Sequence, residues 1–177
     1  LLLMESRNSV RNITAHLLEK GCTLPGFMGD IGYAQSNRER YEGFCQALMD
    51  AGKTPNPSLC LTTPLGIDSY REEIDSFLSS LSRMPDAFVC ASDYVACILM
   101  QLLEKRGLRV PEDVAVSGFD NNIEDLLAEN LTTVQVFNEE LGSRLALQIL
   151  YRIKYPHTPH EVTYLESKVL YRASTGD

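Results

Sequence analysis

The chain has 177 residues, with 16 Lys and Arg against 24 Asp and Glu, a net charge of -8, 44% hydrophobic residues and 23% charged residues. This is ordinary globular composition, which argues against disorder, collagen and coiled coil, and a chain of this length can bury about two-thirds of its unfolded surface without disulfides or metals. The acidic balance opposes a phosphate backbone, so the polypeptide alone is a poor nucleic-acid binder, and it contains no long apolar run that would span a membrane.

In chain order, Leu1 to Met4 reads as the tail of a buried strand. The abrupt start at Leu1 suggests a piece of a longer protein, cut inside a folded unit, and the short apolar run is no signal peptide. Val10, Ile13, Leu17 and Leu18 recur at helical spacing, and Gly21 closes that helix. A short apolar run follows at Gly26-Phe27-Met28. Ser36-Asn37-Arg38-Glu39 has the pattern of a capping box, with Ser36 as the cap and Glu39 reaching back. The helix it opens carries Tyr41, Phe44, Leu48 and Met49 on one face. Ser58 to Thr62 is a strand candidate, and Ile67, Ile74, Phe77, Leu78 and Leu81 mark the next helix. Ala87 to Ala91 is a buried strand, and Ser92-Asp93 caps a helix bearing Val95, Ile98, Leu99, Leu102 and Leu103. Asp113 to Gly118 is another strand, and a short helix holds Ile123, Leu126 and Leu127. Leu131 to Val136 is a strand, Leu141, Leu145, Ile149 and Ile153 mark the last long helix, and Glu161 to Arg172 is extended. Strands separated by helices of this length imply βαβ units, hence an α/β fold with a largely parallel sheet covered on both faces.

In such sheets ligands bind at the carboxyl ends of the strands. That rule selects Asp120, Ser92, Asp93 and the segment from Gly29 to Arg40. Asp120 can accept from two ligand hydroxyls or can cap a helix; for Asp93 the cap is the favoured role, and Ser92 is balanced between a turn residue and a ligand contact. Arg40 lies four residues before Phe44 and shares its helix face, which points it into a crevice; the alternative is a surface arginine with its stem packed on the helix. An arginine fork suits vicinal hydroxyls, carboxylates or purine edges.

Signals of catalysis are weak. The sequence has no Gly-x-Gly-x-x-Gly, no phosphate-binding Gly-Lys-Ser loop and no Gly-x-Ser-x-Gly elbow, so no cofactor is implied. The five cysteines, Cys22, Cys45, Cys60, Cys90 and Cys97, form no Cys-x-x-Cys pair, and the three histidines have no partners at metal-ligand spacing. Reduced thiols in an acidic globular chain point to the cytosol.

Several segments together carry a more specific signal. These are Arg40-Tyr41-Glu42-Gly43-Phe44, Pro85 to Asp93, Gly107 to Asn121, and Leu131-Thr132-Thr133-Val134 before Glu139-Glu140-Leu141-Gly142. In this order they resemble the effector-binding domain of the LacI/GalR family of bacterial transcription regulators, from about Ser9 to Thr175. The stretch from Arg109 to Asn121 is the most specific part.

The resemblance implies a periplasmic-binding-protein-like type I fold: two parallel-sheet, Rossmann-like lobes joined by several crossovers, with a small effector bound between them. It places residues 1–30 and 122–160 in an incomplete N-terminal lobe and residues 31–121 and 161–177 in the C-terminal lobe. The helix-turn-helix domain of the family has no counterpart in the sequence. By the same resemblance Arg40 clamps the effector and Asp120 accepts from its hydroxyls or ring nitrogens. Ser92 matches a position that contacts effectors in some members, and Tyr33, Ser36 and Phe119 are weaker pocket candidates. Met4 departs from the family, standing where many members carry an aspartate, and Asn138 stands where an apolar residue is common. The implied partners are a sugar, sugar phosphate or nucleobase effector, a second copy of the chain in a homodimer, and operator DNA only through the absent N-terminal domain; no membrane is implied. The implied protein is a cytoplasmic, non-enzymatic repressor or activator. An extracytoplasmic sugar-binding protein for transport or chemotaxis has the same fold and is the alternative.

Overall fold

The computed structural model describes residues 1–66, 68–122 and 129–177. Its centre is a parallel four-stranded sheet of order β3-β2-β4-β5, made from β2 (Pro25–Met28), β3 (Cys60–Leu61), β4 (Ala87–Cys90) and β5 (Ala115–Ser117). Phe27 pairs with Cys60 on one side and Val89 on the other, and Val89 pairs with Ser117. Four helices cover this sheet: α1 (Arg7–Glu19), α2 (Gln35–Asp50), α3 (Tyr70–Ser80) and α4 (Asp93–Lys105).

The period-2 alternation of the strands explains the layering. Phe88 and Cys90 of β4 face Ile74, Leu78, Leu99 and Leu103 of α3 and α4. Ala87 and Val89 face the other way, toward Val10, Ile13 and Leu17 of α1 and Phe44 of α2. Both faces of β4 are therefore apolar, as a central parallel strand requires. Burying each of these large side chains contributes about 1.5–3 kcal/mol.

The remaining strands are short. β1 (Leu2–Met4) pairs in parallel with β7 (Thr163–Leu165), and β6 (Thr133–Gln135) pairs antiparallel with β8 (Lys168–Leu170). Single parallel bridges join Ser117 to Thr132 and Asp120 to Gln135, so β6 runs on beside the end of β5. A last helix, α5 (Asn138–Lys154), contains no buried residue. Its Leu145 and Ile149 line an open groove of about 580 Å³ with Leu1 and Leu2.

Several expectations need correction. The capping box is not formed: α2 starts at Gln35 with Ala34 at its N-cap, which places Ser36 inside the first turn. Asp30 orders this entry instead, accepting from the N–H groups of Gly32 at 2.7 Å and Tyr33 at 3.1 Å. Met49 leaves the apolar face of α2 and is exposed. The strand expected over 58–62 begins as a 3-10 turn at Pro57–Leu59, where Asn56 accepts from Ser58 N–H. Asp93 is the first residue of α4 rather than its cap; Ser92 is the cap and accepts from Val95 N–H at 3.3 Å. Ile67 and the short helix expected around Ile123, Leu126 and Leu127 lie outside the described residues.

β2 lies inside the four-stranded sheet, and α1 joins α2 in one apolar cluster, so residues 1–30 divide between β1 and α1. Residues 161–177 divide as well, since β7 pairs with β1 whereas β8 pairs with β6. Between β1 and α1 the Glu5 carboxylate accepts from Asn8 and Ser9 N–H, at 2.5 and 3.1 Å, and starts the helix.

Candidate functional site

Three adjacent parallel strands, β2, β4 and β5, end on the same side of the sheet and hand the chain to polar turns. The turn after β2 leads into α2, whose sixth residue is Arg40. Phe44, one helical turn further on, is fully buried and directs this face inward. The turn after β4 presents the carbonyl of Ala91, and the turn after β5 carries Phe119 and Asp120.

Arg40 gathers all three. Its Nη1 donates to the Ala91 carbonyl, its Nη2 lies 3.4 Å from Asp120 Oδ1, and its Cζ sits 3.6 Å from the centre of the Phe119 ring. The Arg40 side chain is 10% exposed and that of Asp120 29%. Burial lowers the basicity of Arg40 below that of an ordinary arginine, and Asp120 opposes the effect. Burial also raises the Asp120 carboxyl, against the pull of Arg40. The Nε of Arg40 is buried and lacks a hydrogen-bond partner among the described residues. The pair thus offers a guanidinium with a spare donor beside a partly open carboxylate that accepts.

The turn holding Asp120 is conformationally costly. Asp120 has φ 112° and Asn121 φ 48°, in the region that side chains other than glycine rarely adopt. Main-chain bonds hold it to β6: Gly118 N–H to the Thr132 carbonyl at 2.8 Å and Asp120 N–H to the Val134 carbonyl at 3.1 Å. Side chains extend the attachment, since Asn121 Nδ2 donates to Gln135 Oε1 at 2.5 Å and Arg172 Nη2 donates to Asn121 Oδ1 at 2.9 Å.

The other expected residues are placed differently. Ser92 spends its hydroxyl on the α4 cap, next to Ala91. Phe119 is fully buried, so it reaches the site through the Arg40 guanidinium rather than by facing the crevice. Ser36 is half-buried in the first turn of α2, and Tyr33 is 80% exposed on the loop before it.

Three features escape the sequence reading. Glu39 is buried beside Arg40 and accepts from Gln35 and from the Tyr164 hydroxyl of β7, at 3.2 and 3.4 Å. Asp93 is buried and accepts from Thr133 Oγ1 at 2.5 Å. Arg172 ties the last extended segment to Asn121 and to the Leu131 carbonyl. Glu39 sits among polar residues of the first turns of α2, so its burial leaves no signal in the local pattern. The partners of Asp93 and Arg172 lie 40 and 51 residues away and leave none.

Among the described residues no group of three or more His, Cys, Asp or Glu could hold a metal ion, and no helix is long and apolar enough to cross a membrane. Among the described residues the five cysteines form no disulfide. Burial pushes Cys22 and Cys60 up to about 11 and raises Cys90 well above an ordinary thiol, so these thiols are poor nucleophiles.

Comparison with known proteins identifies the fold. A family model described as a periplasmic binding protein-like domain matches residues 14–175. The repressor PurR of Aliivibrio salmonicida is 29% identical over 163 residues, which are 91% of this chain and 48% of that protein. The regulator DegA of Bacillus subtilis is 35% identical over 130 residues, 72% of this chain and 38% of that protein. Among solved structures, a LacI-family transcriptional regulator from Sanguibacter keddieii superposes with a TM-score of 0.85 at 27% identity, over 99% of this chain and 66% of its own. A complex of the transcriptional regulator CelR with cellobiose has a TM-score of 0.85 at 26% identity, over 98% of this chain and 53% of its own. The chain spans about half the length of the curated relatives it matches.

Proposed function

This chain belongs to the family of periplasmic binding protein-like domains, and from that premise we propose that it is the effector-sensing part of a LacI-type transcriptional regulator. The observation that carries the proposal is the convergence of Arg40 and Asp120, from the turns after β2 and β5, to within 3.4 Å of each other at the carboxyl ends of the strands. A spare buried N–H and a partly exposed carboxylate suit a ligand with adjacent donors and acceptors: a sugar, a sugar phosphate or a nucleobase. The names of the relatives support this range, one a PurR repressor and one a regulator complexed with cellobiose. They favour regulation over the extracytoplasmic transport alternative.

In this reading Arg40 and Asp120 bind the effector, Phe119 supports the Arg40 guanidinium, and Ser92, Ser36 and Tyr33 border the site. The four-stranded sheet with α1–α4 forms one lobe. β1, β7 and α5 belong to the other, and β6 and β8 cross between them. An effector that binds the closed arrangement more tightly shifts the population toward it, with a coupling of about 1–3 kcal/mol. The whole protein acts as a cytoplasmic homodimer, performs no catalysis and holds no cofactor. It reaches operator DNA through a helix-turn-helix outside this chain, as the names of its relatives imply.

A thermal-shift panel of sugars, sugar phosphates and purines on the intact protein tests the reading. A ligand at 100 times its Kd adds about 2.7 kcal/mol, or roughly 5–10 °C for a domain of this size. A shift that disappears in both Arg40→Ala and Asp120→Ala is the expected result. A ligand whose shift survives both substitutions would move the site elsewhere.

A further inference from the structure

We propose that Asp93 is the positioning residue that holds the Asp120 turn against the crossing strand β6. Asp93 opens α4, yet its carboxylate does not serve as the helix cap; Ser92 already fills that role. The carboxylate instead meets three donors from outside its own helix. Thr133 Oγ1 donates from β6 at 2.5 Å, and the backbone N–H groups of Asn121 and Asn122 donate from the turn after β5. The main chain of Asp93 joins in, its N–H donating to the Phe119 carbonyl at 2.8 Å. Phe119, Asn121 and Asn122 flank Asp120 on both sides.

The fit is close. A Cβ on Gly118 would stand 2.3 Å from Asp93 Oδ1, so glycine is what lets the turn approach the carboxylate. The attachment also explains how Asp120 and Asn121 keep positive φ, because unfavourable backbone persists only where surrounding structure over-determines it. One buried side chain thus meets the turn that carries the candidate effector ligand and the strand that leaves toward α5. The charged groups facing it are Asp120 on that turn and Arg40 on α2, with the Cys90 thiol of β4 nearby. Any bearing on effector binding rests on the function proposed above; the positioning role does not.

Amide hydrogen exchange on the intact protein without ligand separates the two. In Asp93→Ala the N–H groups of Gly118 and Asp120, which bond to β6, exchange at least tenfold faster, while Gly29 N–H, bonded to the Leu61 carbonyl at 2.8 Å, is unchanged. Asp93→Asn keeps an acceptor and rescues most of the protection. In the native chain the same two amides gain protection, after correction for intrinsic exchange, as pH falls from 7 to 5, because the buried carboxyl takes up a proton more readily than an exposed one; Asp93→Asn flattens that profile. Thr133→Val preserves side-chain shape and removes one donor, so it gives a smaller increase at the same amides and serves if Asp93→Ala does not fold. Unchanged exchange at Gly118 and Asp120 in these variants, or an equal increase at Gly29, would overturn the proposal. Loss of effector binding alone would not, and a normal exchange pattern with no effector found would count only against the sensor reading.

Discussion

Arg40 Cζ lies 3.6 Å from the centre of the Phe119 ring, and that ring is fully buried. Phe119 therefore acts as a floor for the guanidinium. The stack fixes the guanidinium plane while Nη1 and Nη2 are spent on Ala91 and Asp120. A lysine has neither the plane nor the fork to reproduce this.

Replacing Arg40 should therefore cost stability even without ligand. Arg40→Ala removes the stack and leaves the Ala91 carbonyl and Asp120 without their partner. An expected loss is about 1–3 kcal/mol, since Asp120 stays partly solvated. Arg40→Lys should recover less than half of it. Urea denaturation of both variants, with Asp120→Asn for a double-mutant cycle, measures the coupling, expected near 1 kcal/mol.

Asp93 makes stability depend on pH. Burial is the largest influence on its carboxyl and, with Asp120, pushes it up to about 6, against hydrogen bonds from Thr133, Asn121 and Asn122. The folded chain then holds more protons than the unfolded chain between about pH 4 and pH 6. The contribution of Asp93 to stability is accordingly largest below that window and falls as pH rises through it, by on the order of 3 kcal/mol. The stability difference between native protein and Asp93→Asn, followed by denaturation from pH 4 to pH 7, should fall by that order. A difference independent of pH would show that Asp93 is not buried as described.

Gly43 sets the spacing of two helices. A Cβ there would stand 2.2 Å from the Arg7 carbonyl oxygen, where α1 crosses α2. Gly43→Ala should destabilise by about 1–3 kcal/mol despite the better helix propensity of alanine, because backbone rather than a flexible side chain must yield. A gain in Tm for this variant would contradict the close crossing.

Ser92 distinguishes capping from ligand contact. Ser92→Ala should lose about 1 kcal/mol, and Ser92→Asp should restore it, since aspartate caps as well as serine. If Ser92 also touches effector, Ser92→Asp restores stability without restoring affinity; thermal denaturation with and without a bound ligand reads both.

The layered α/β class is legible in the residues alone. The all-apolar run Ala87 to Ala91, flanked by helices with a 3.6-residue period, admits little but a central parallel strand. The same logic singled out Arg40 and Asp120, because both follow the carboxyl end of such a strand, and the structure brings them within 3.4 Å of each other. Local patterns failed where a local rule met a tertiary one. Ser36 has the spacing of a capping box, but the chain reaches α2 from an Asp30 turn and starts the helix at Gln35. Asp93 has the position of a cap, but its carboxylate is drawn to Thr133, 40 residues on. α5 forms where its helical spacing placed it, but that spacing did not say that Leu145 and Ile149 would border an open groove with Leu1 and Leu2. The pairing of β1 with β7 and the attachment of β6, β8 and Arg172 to the Asp120 turn come from tertiary structure alone. Helix and strand periods report how each segment meets its own core. They carry no information about which distant strand supplies a hydrogen-bond partner, because one buried donor or acceptor leaves no periodic trace.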